Sequence, residues 1–230
     1  MDTSNDPPVC EAAEPAPETT EEEPGPARQY STGKLTAAQA RVVSAWRHQL
    51  RVRDPRWGTR DQLPRASSSD CLAAAVIDLL DRAEPGPLQL IRYADQLRRT
   101  LAGARGREAP AVSAASFYLP GEYADQLDAL LTGAQEHHAE LLDEAREQVL
   151  AELPDGPRTA QVMAMISAVA ERGVPFRVYR LPAGVVARRA IDRWARRSPA
   201  SVVAVAVGYA SESHQQFHKA RKDMGIADRL

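Results

Sequence analysis

The sequence predicts a mainly α-helical protein built from strand–helix–helix units, with two or three short strands. Three observations predict it. Hydrophobic residues make up 43 % of the chain but aromatic residues only 5 %, so alanine, leucine and valine carry the core, a composition suited to closely packed helices. Apolar residues recur at steps of three and four over most of the length, and period-two alternation is confined to a few short stretches. The alternating stretches stand ahead of helical ones, with a proline or a serine-rich cap between them.

Residues 1–27 hold eight acids, six prolines, no basic residue and no aromatic residue. They cannot bury enough surface to offset the entropy of ordering, and are expected to be a disordered acidic tail. Arg28–Leu35 is a short extended candidate. Thr36 then caps a helix to about Val52, with Val42, Val43, Trp46 and Leu50 on one face. A Pro/Gly-rich turn follows, and Ser67-Ser68-Ser69-Asp70 opens a helix over Cys71–Ala83. Pro85-Gly86-Pro87 breaks the chain before a third helix to about Ala102.

Val112–Leu119 alternates as a strand would. Pro120-Gly121 starts a long helix to Leu153, expected to kink at Gly133. Its apolar steps average about 3.7 residues, the spacing of an ordinary packed helix rather than a heptad coiled coil. Arg158–Arg172 is a further helix, stopped by Gly173. Phe176–Leu181 is another strand candidate, Ala183–Arg197 a helix, and Ser198-Pro199-Ala200-Ser201 the cap of the last helix. Ser113–Leu119 and Phe176–Leu181 are expected to pair antiparallel, within the chain or across a dimer. The stretch Tyr93-Ala94-Asp95-Gln96-Leu97 recurs at Tyr123-Ala124-Asp125-Gln126-Leu127, either an internal duplication or convergence of Ala/Leu-rich helices.

Charge is sorted into blocks. Residues 28–107 carry fifteen basic residues against seven acids, residues 108–171 two against twelve, and residues 172–230 twelve against four, within a net charge of −2. The chain therefore divides into the tail 1–27, a basic helical module 28–107, an acidic strand–helix module 108–172 and a basic strand–helix–helix module 173–230. Twenty-six of the twenty-nine basic residues are arginine, which suits bidentate contacts to phosphate and guanine, although a GC-rich genome yields the same excess. Basic modules point to a polyanionic partner, nucleic acid first.

The strand–Pro–helix pattern recurs as Ser116-Phe117-Tyr118-Leu119-Pro120 and as Val178-Tyr179-Arg180-Leu181-Pro182, each entering a helix. It resembles the ribbon-helix-helix DNA-binding family, in which two short strands pair into a ribbon that lies in the major groove. The resemblance implies groove-facing residues Arg177, Tyr179 and Arg180 in one unit and Ser116 and Tyr118 in the other. It implies helix-cap serines Ser198, Ser201 and Ser67 facing phosphates, and a homodimer. Arg188, Arg189, Arg193, Arg196 and Arg197 form a basic cluster on one helix, and Arg56, Arg60 and Arg65 a second cluster beside Trp57. Both read as phosphate-backbone surfaces, or else as solvated faces or partners of the acidic middle helix.

No constellation of catalytic residues stands out. Glu136-His137-His138 lacks the further ligands that would complete a metal shell. Ser-Thr-Gly-Lys at 31–34 lacks the upstream glycine of a phosphate loop. Ser211-Glu212-Ser213-His214 has suitable residue types but no geometry from separate elements. Two cysteines make no disulfide framework. The expectation is a cytoplasmic, sequence-specific double-stranded DNA-binding protein without cofactor, metal or membrane segment. It would act as a transcriptional repressor or a partition or conjugation accessory factor. The alternative is a helical scaffold whose charge blocks neutralise one another in an oligomer.

Overall fold

The computed structural model describes residues 26–53, 66–103, 114–176 and 180–223. Among them the order of elements is β1 (Arg28–Ser31), α1 (Ala37–Arg53), α2 (Ser68–Leu80), α3 (Pro87–Gly103), β2 (Ser116–Leu119), α4 (Gly121–Glu152), α5 (Arg158–Glu171), α6 (Gly184–Trp194) and α7 (Pro199–Asp223). The protein is mainly helical, with one two-stranded antiparallel sheet among the described residues. The strand–helix–helix order thus occurs as β1–α1–α2 and as β2–α4–α5.

The starts of the first two helices follow from their caps. Thr36 and Gln39 bond reciprocally, the Gln39 N–H donating to the Thr36 hydroxyl at 3.2 Å and the Thr36 N–H to Gln39 Oε1 at 3.1 Å. Ser67 and Asp70 do the same for α2, where the Ser67 N–H reaches Asp70 Oδ2 at 2.6 Å. The small residues Ala73, Ala74 and Ala75 let neighbours approach α2 closely, and its seven residues Cys71–Val76 and Leu79 are buried. It is the hub of the fold, packed by α1, α4, α6, α7 and β2.

Around α2 the core closes with large side chains. Trp46 of α1 and Trp194 of α6 meet edge to face at 6.3 Å, an arrangement the ring quadrupoles favour. From α6, Val185, Val186, Ala187, Ala190 and Ile191 are buried beside Trp194. One hydrophobic core takes residues from all three charge blocks beyond the tail, for example Trp46, Leu127 and Ile191. The charge blocks are therefore a property of the surface and cut across the packing.

β1 pairs with β2 in the register Arg28–Leu119, Gln29–Tyr118, Tyr30–Phe117 and Ser31–Ser116. The expected pairing of Ser113–Leu119 with Phe176–Leu181 turns on residues that lie largely outside the described ones. Phe176, Arg180 and Leu181 lie in no strand, and 177–179 fall outside the described residues. The partner of β2 is the extended segment at Arg28. At Gly184, a Cβ would come within 2.6 Å of the Thr32 carbonyl oxygen and 2.8 Å of that of Ser31. The start of α6 therefore packs closely on the end of β1.

The long helix α4 passes through Gly133 as one element, and α5 folds back on it. Only Val169 of the fourteen residues of α5 is buried.

Candidate nucleic-acid interface

Side chains directly opposite in an antiparallel pair share a face of the sheet. Tyr30 and Phe117 turn inward and stack at 5.8 Å between ring centroids, with Phe117 and Leu119 fully buried. Alternation then sends Gln29 and Ser31 of β1, and Ser116 and Tyr118 of β2, to the outer face, where all four are exposed. Tyr118 is 53 % exposed despite its size. The ribbon is extended by a bond from the Thr32 N–H to the Ala115 carbonyl at 2.9 Å and one from the Ala115 N–H to the Thr32 hydroxyl at 3.0 Å. From behind, Arg28 is anchored to Asp125 at 2.7 Å and to Asp128 at 2.8 Å, both on α4. α4 itself starts directly after β2, with no side-chain cap at Pro120.

The arginines of α6 and of the turn after it divide into different roles. Arg188 is buried and donates through Nε to the Thr32 carbonyl at 2.7 Å, so its expected role on phosphate is corrected to a structural one. Burial pushes its pKa down. Gly33 makes room for it: at φ +64° the residue takes the left-handed region, and a Cβ there would meet Arg188 Nη2 at 2.6 Å. The glycine of Ser31-Thr32-Gly33-Lys34 thus serves a buried arginine.

Arg193 and Arg197 are half-buried and bound to carboxylates. Arg193 pairs with Glu84 and approaches Asp78 at 3.8 Å, and Arg197 reaches Asp78 at 3.3 Å. Their partners lie on α2 and in the turn between α2 and α3, not on the acidic helix α4, which corrects the pairing expected with the middle block. Arg189 is exposed and lies over the Tyr93 ring at 5.4 Å, and Arg196, Ser198 and Ser201 lie in and after the α6–α7 turn. Ser198 caps α7, accepting from the Ser201 N–H at 3.3 Å while the Ser201 hydroxyl donates to the Ser198 carbonyl at 2.8 Å.

The Ser67 hydroxyl is taken up by Asp70 at 2.7 Å and by the Ser69 and Asp70 N–H groups. A phosphate at that helix start would face the Asp70 carboxylate, so Ser67 is a structural cap. Arg180 is exposed, next to buried Leu181. Arg56, Arg60, Arg65, Arg177 and Tyr179 fall outside the described residues.

Exposed polar side chains form two groups. The outer ribbon face holds Gln29, Ser31, Ser116 and Tyr118, and Arg189 of α6 is followed by Arg196 and Ser198 in the α6–α7 turn and Ser201 in the first turn of α7. α6 touches the ribbon at Gly184 and ends at Trp194, so the turn lies about 15 Å along its axis from the ribbon at 1.5 Å per residue. Gln29 and Ser31 were not among the expected reading residues. Their signal was the inward Tyr30, from which alternation fixes both neighbours as outward.

A buried polar cluster was also not foreseen. The Tyr93 hydroxyl donates to Asp192 at 2.5 Å, and Gln39 Nε2 donates to Asp192 at 3.0 Å, tying α1, α3 and α6 together. Burial and Asp192 push the Tyr93 phenol far up, so it stays protonated and serves as a donor. His138 is buried with Nε2 2.8 Å from the Pro175 carbonyl, whereas His137 lies 3.6 Å from Glu140 on the outside. Among the described residues no three His, Cys, Asp or Glu side chains gather as metal ligands, and no helix is long and apolar enough to cross a membrane. Compared with protein-family models, curated proteins and solved structures, the chain matches none.

Proposed function

We propose that this chain binds double-stranded DNA sequence-specifically, as a repressor or as a partition or conjugation accessory factor, with the β1–β2 ribbon in the major groove as in the ribbon-helix-helix family. The carrying observation is the ribbon's outer face. Four exposed side chains that donate or accept hydrogen bonds sit on a two-stranded platform backed by Phe117 and Leu119. A major groove admits a two-stranded ribbon, and Gln29 has the amide that pairs bidentately with adenine. Arg189 and Arg196, with the cap serines of α7, supply phosphate contacts to one side. Both strands come from one chain, so the reading unit is complete in the monomer.

The scaffold reading draws on the Arg28 pairs with Asp125 and Asp128, in which a basic and an acidic block neutralise each other within the chain. Selection from a random duplex library, followed by gel shifts over a salt series, separates the two. A DNA-binding ribbon enriches a motif, loses it on Gln29→Ala or Tyr118→Ala with folding intact, and weakens steeply with salt. Arg189→Glu with Arg196→Glu flattens the salt slope by about 1 per lost contact. Absence of any shift at low salt overturns the DNA reading and leaves the scaffold.

A further inference from the structure

We infer that α5 is a self-association surface, covered by α5 of a second copy of this chain running antiparallel across a two-fold axis between Ala164 and Met165. This is independent of the DNA reading, because the ribbon is completed within one chain.

The first ground is exposed apolar surface without a solvent-facing counterpart. Between Arg158 and Glu171 the helix has no charged residue, yet Val169 is its one buried position. Met163 is 59 % exposed, Val162 41 % and Ile166 38 %, and Leu150 of α4 adjoins them at 42 %. A helix on a protein surface normally carries charge on its outer face, and one that is apolar all round is covered. Val149 and Leu150 of α4, with Val162 and Met165 of α5, line a cleft of about 220 Å³ between Arg146 and Arg158. α4 and α5 make half of a four-helix bundle, and a two-fold copy supplies the other half.

The second ground is charge complementarity of the helix with itself. Arg158 stands at its first position and Glu171 at its last, about 20 Å apart at 1.5 Å per residue. An antiparallel copy lays each Arg158 against the other chain's Glu171, at both ends of the contact. A parallel copy would oppose like charges. With the axis between 164 and 165, exposed Met163 meets exposed Ile166 of the second copy, and Val162 meets Ser167. The pattern is therefore neutral, self-complementary and apolar at its centre.

Sedimentation velocity of the full-length chain over a concentration series tests this. The wild type is expected to dimerise, and Met163→Glu to be monomeric with an unchanged circular dichroism spectrum. Arg158→Glu alone and Glu171→Arg alone should each raise the dimer Kd at least about tenfold, since each creates two like-charge contacts by symmetry. The double swap should restore it, which loss of helix stability would not do. In a Cys10→Ser background, Met163→Cys with Ile166→Cys should give an oxidised covalent dimer. A monomeric wild type at every concentration, a dimer that survives Met163→Glu, or a double swap no better than the single changes overturns the inference.

Discussion

Replacing Asp78 tests whether the α6 arginines belong to the fold or to a ligand surface. Asp78 sits on α2 and accepts from Trp194 Nε1 at 2.9 Å, from Arg82 at 3.2 Å and from Arg197 at 3.3 Å. Asp78→Ala leaves the indole N–H of fully buried Trp194 without its acceptor, which costs about 1–3 kcal/mol. The Arg82 pair is an i,i+4 contact, half exposed, and adds about 0.3–0.5 kcal/mol. The Arg197 pair adds at most about 1 kcal/mol. The expected loss is about 1–4 kcal/mol, read by urea unfolding, with a Tm lowered by about 2–4 °C per kcal/mol for a chain of this size.

Asp78→Asn should retain about half of that stability, because an amide oxygen still accepts from Trp194. The carboxyl is held below the ordinary range: burial alone would raise it, but the Trp194 and Arg82 hydrogen bonds and the Arg197 charge outweigh burial. A lowered folded-state pKa means that the stabilisation is present above the unfolded carboxyl's pKa and is lost as pH falls through the folded value. The gap between wild type and Asp78→Asn should therefore be constant near neutrality and close in acid. An Asp78→Ala variant within about 0.5 kcal/mol of wild type would refute the structural role of Arg197 and Trp194 as partners of this carboxylate.

Further outcomes follow from single positions. Gly184→Ala should destabilise by about 1–3 kcal/mol in urea unfolding, because its Cβ meets the backbone of Ser31 and Thr32, which cannot swing away. Cys71 is buried and its thiol is pushed up to about 12, mainly by burial, so in a Cys10→Ser variant the native protein should react with a disulfide reagent only as fast as it unfolds. A fast-reacting thiol would disprove that packing. Removing residues 1–25, which hold all eight acids of the tail, should raise DNA affinity at low salt and leave it unchanged at high salt if the tail competes for the basic surface. Equal affinity at every salt reduces the tail to a solubiliser.

The helices were legible because their signals are local. Thr36 and Ser67 sit at the caps that their reciprocal bonds define, and the apolar steps of α1, α2 and α4 match their buried faces. Strand pairing was not legible, because it depends on what stands opposite. Arg28–Ser31 has few strong β-forming residues, yet it pairs with β2, where Tyr30 finds Phe117 to stack on and Arg28 finds two carboxylates. Propensity ranks segments one at a time, and sheet formation is decided between segments.

The same limit applies to reading charge. Arg188, Arg189, Arg193, Arg196 and Arg197 are one basic cluster in the sequence and three kinds of residue in the fold. Arg188 is enclosed over Gly33, Arg193 and Arg197 close on Asp78 and Glu84, and Arg189 and Arg196 are exposed. Helical periodicity does not single out the enclosed residue, because Arg188 and Arg193 stand about equally far from the buried face of α6. It cannot separate Arg193 from Arg196, because the carboxylates that hold Arg193 come from more than a hundred residues earlier in the chain. A block of net +8 therefore overstates the charge available to a polyanion. The direct consequence is that Asp78→Asn, which loosens Arg197 without adding a cation, should strengthen DNA binding and steepen its salt dependence if the end of α6 and the turn after it lie on phosphates, and should change neither if the ribbon alone contacts DNA.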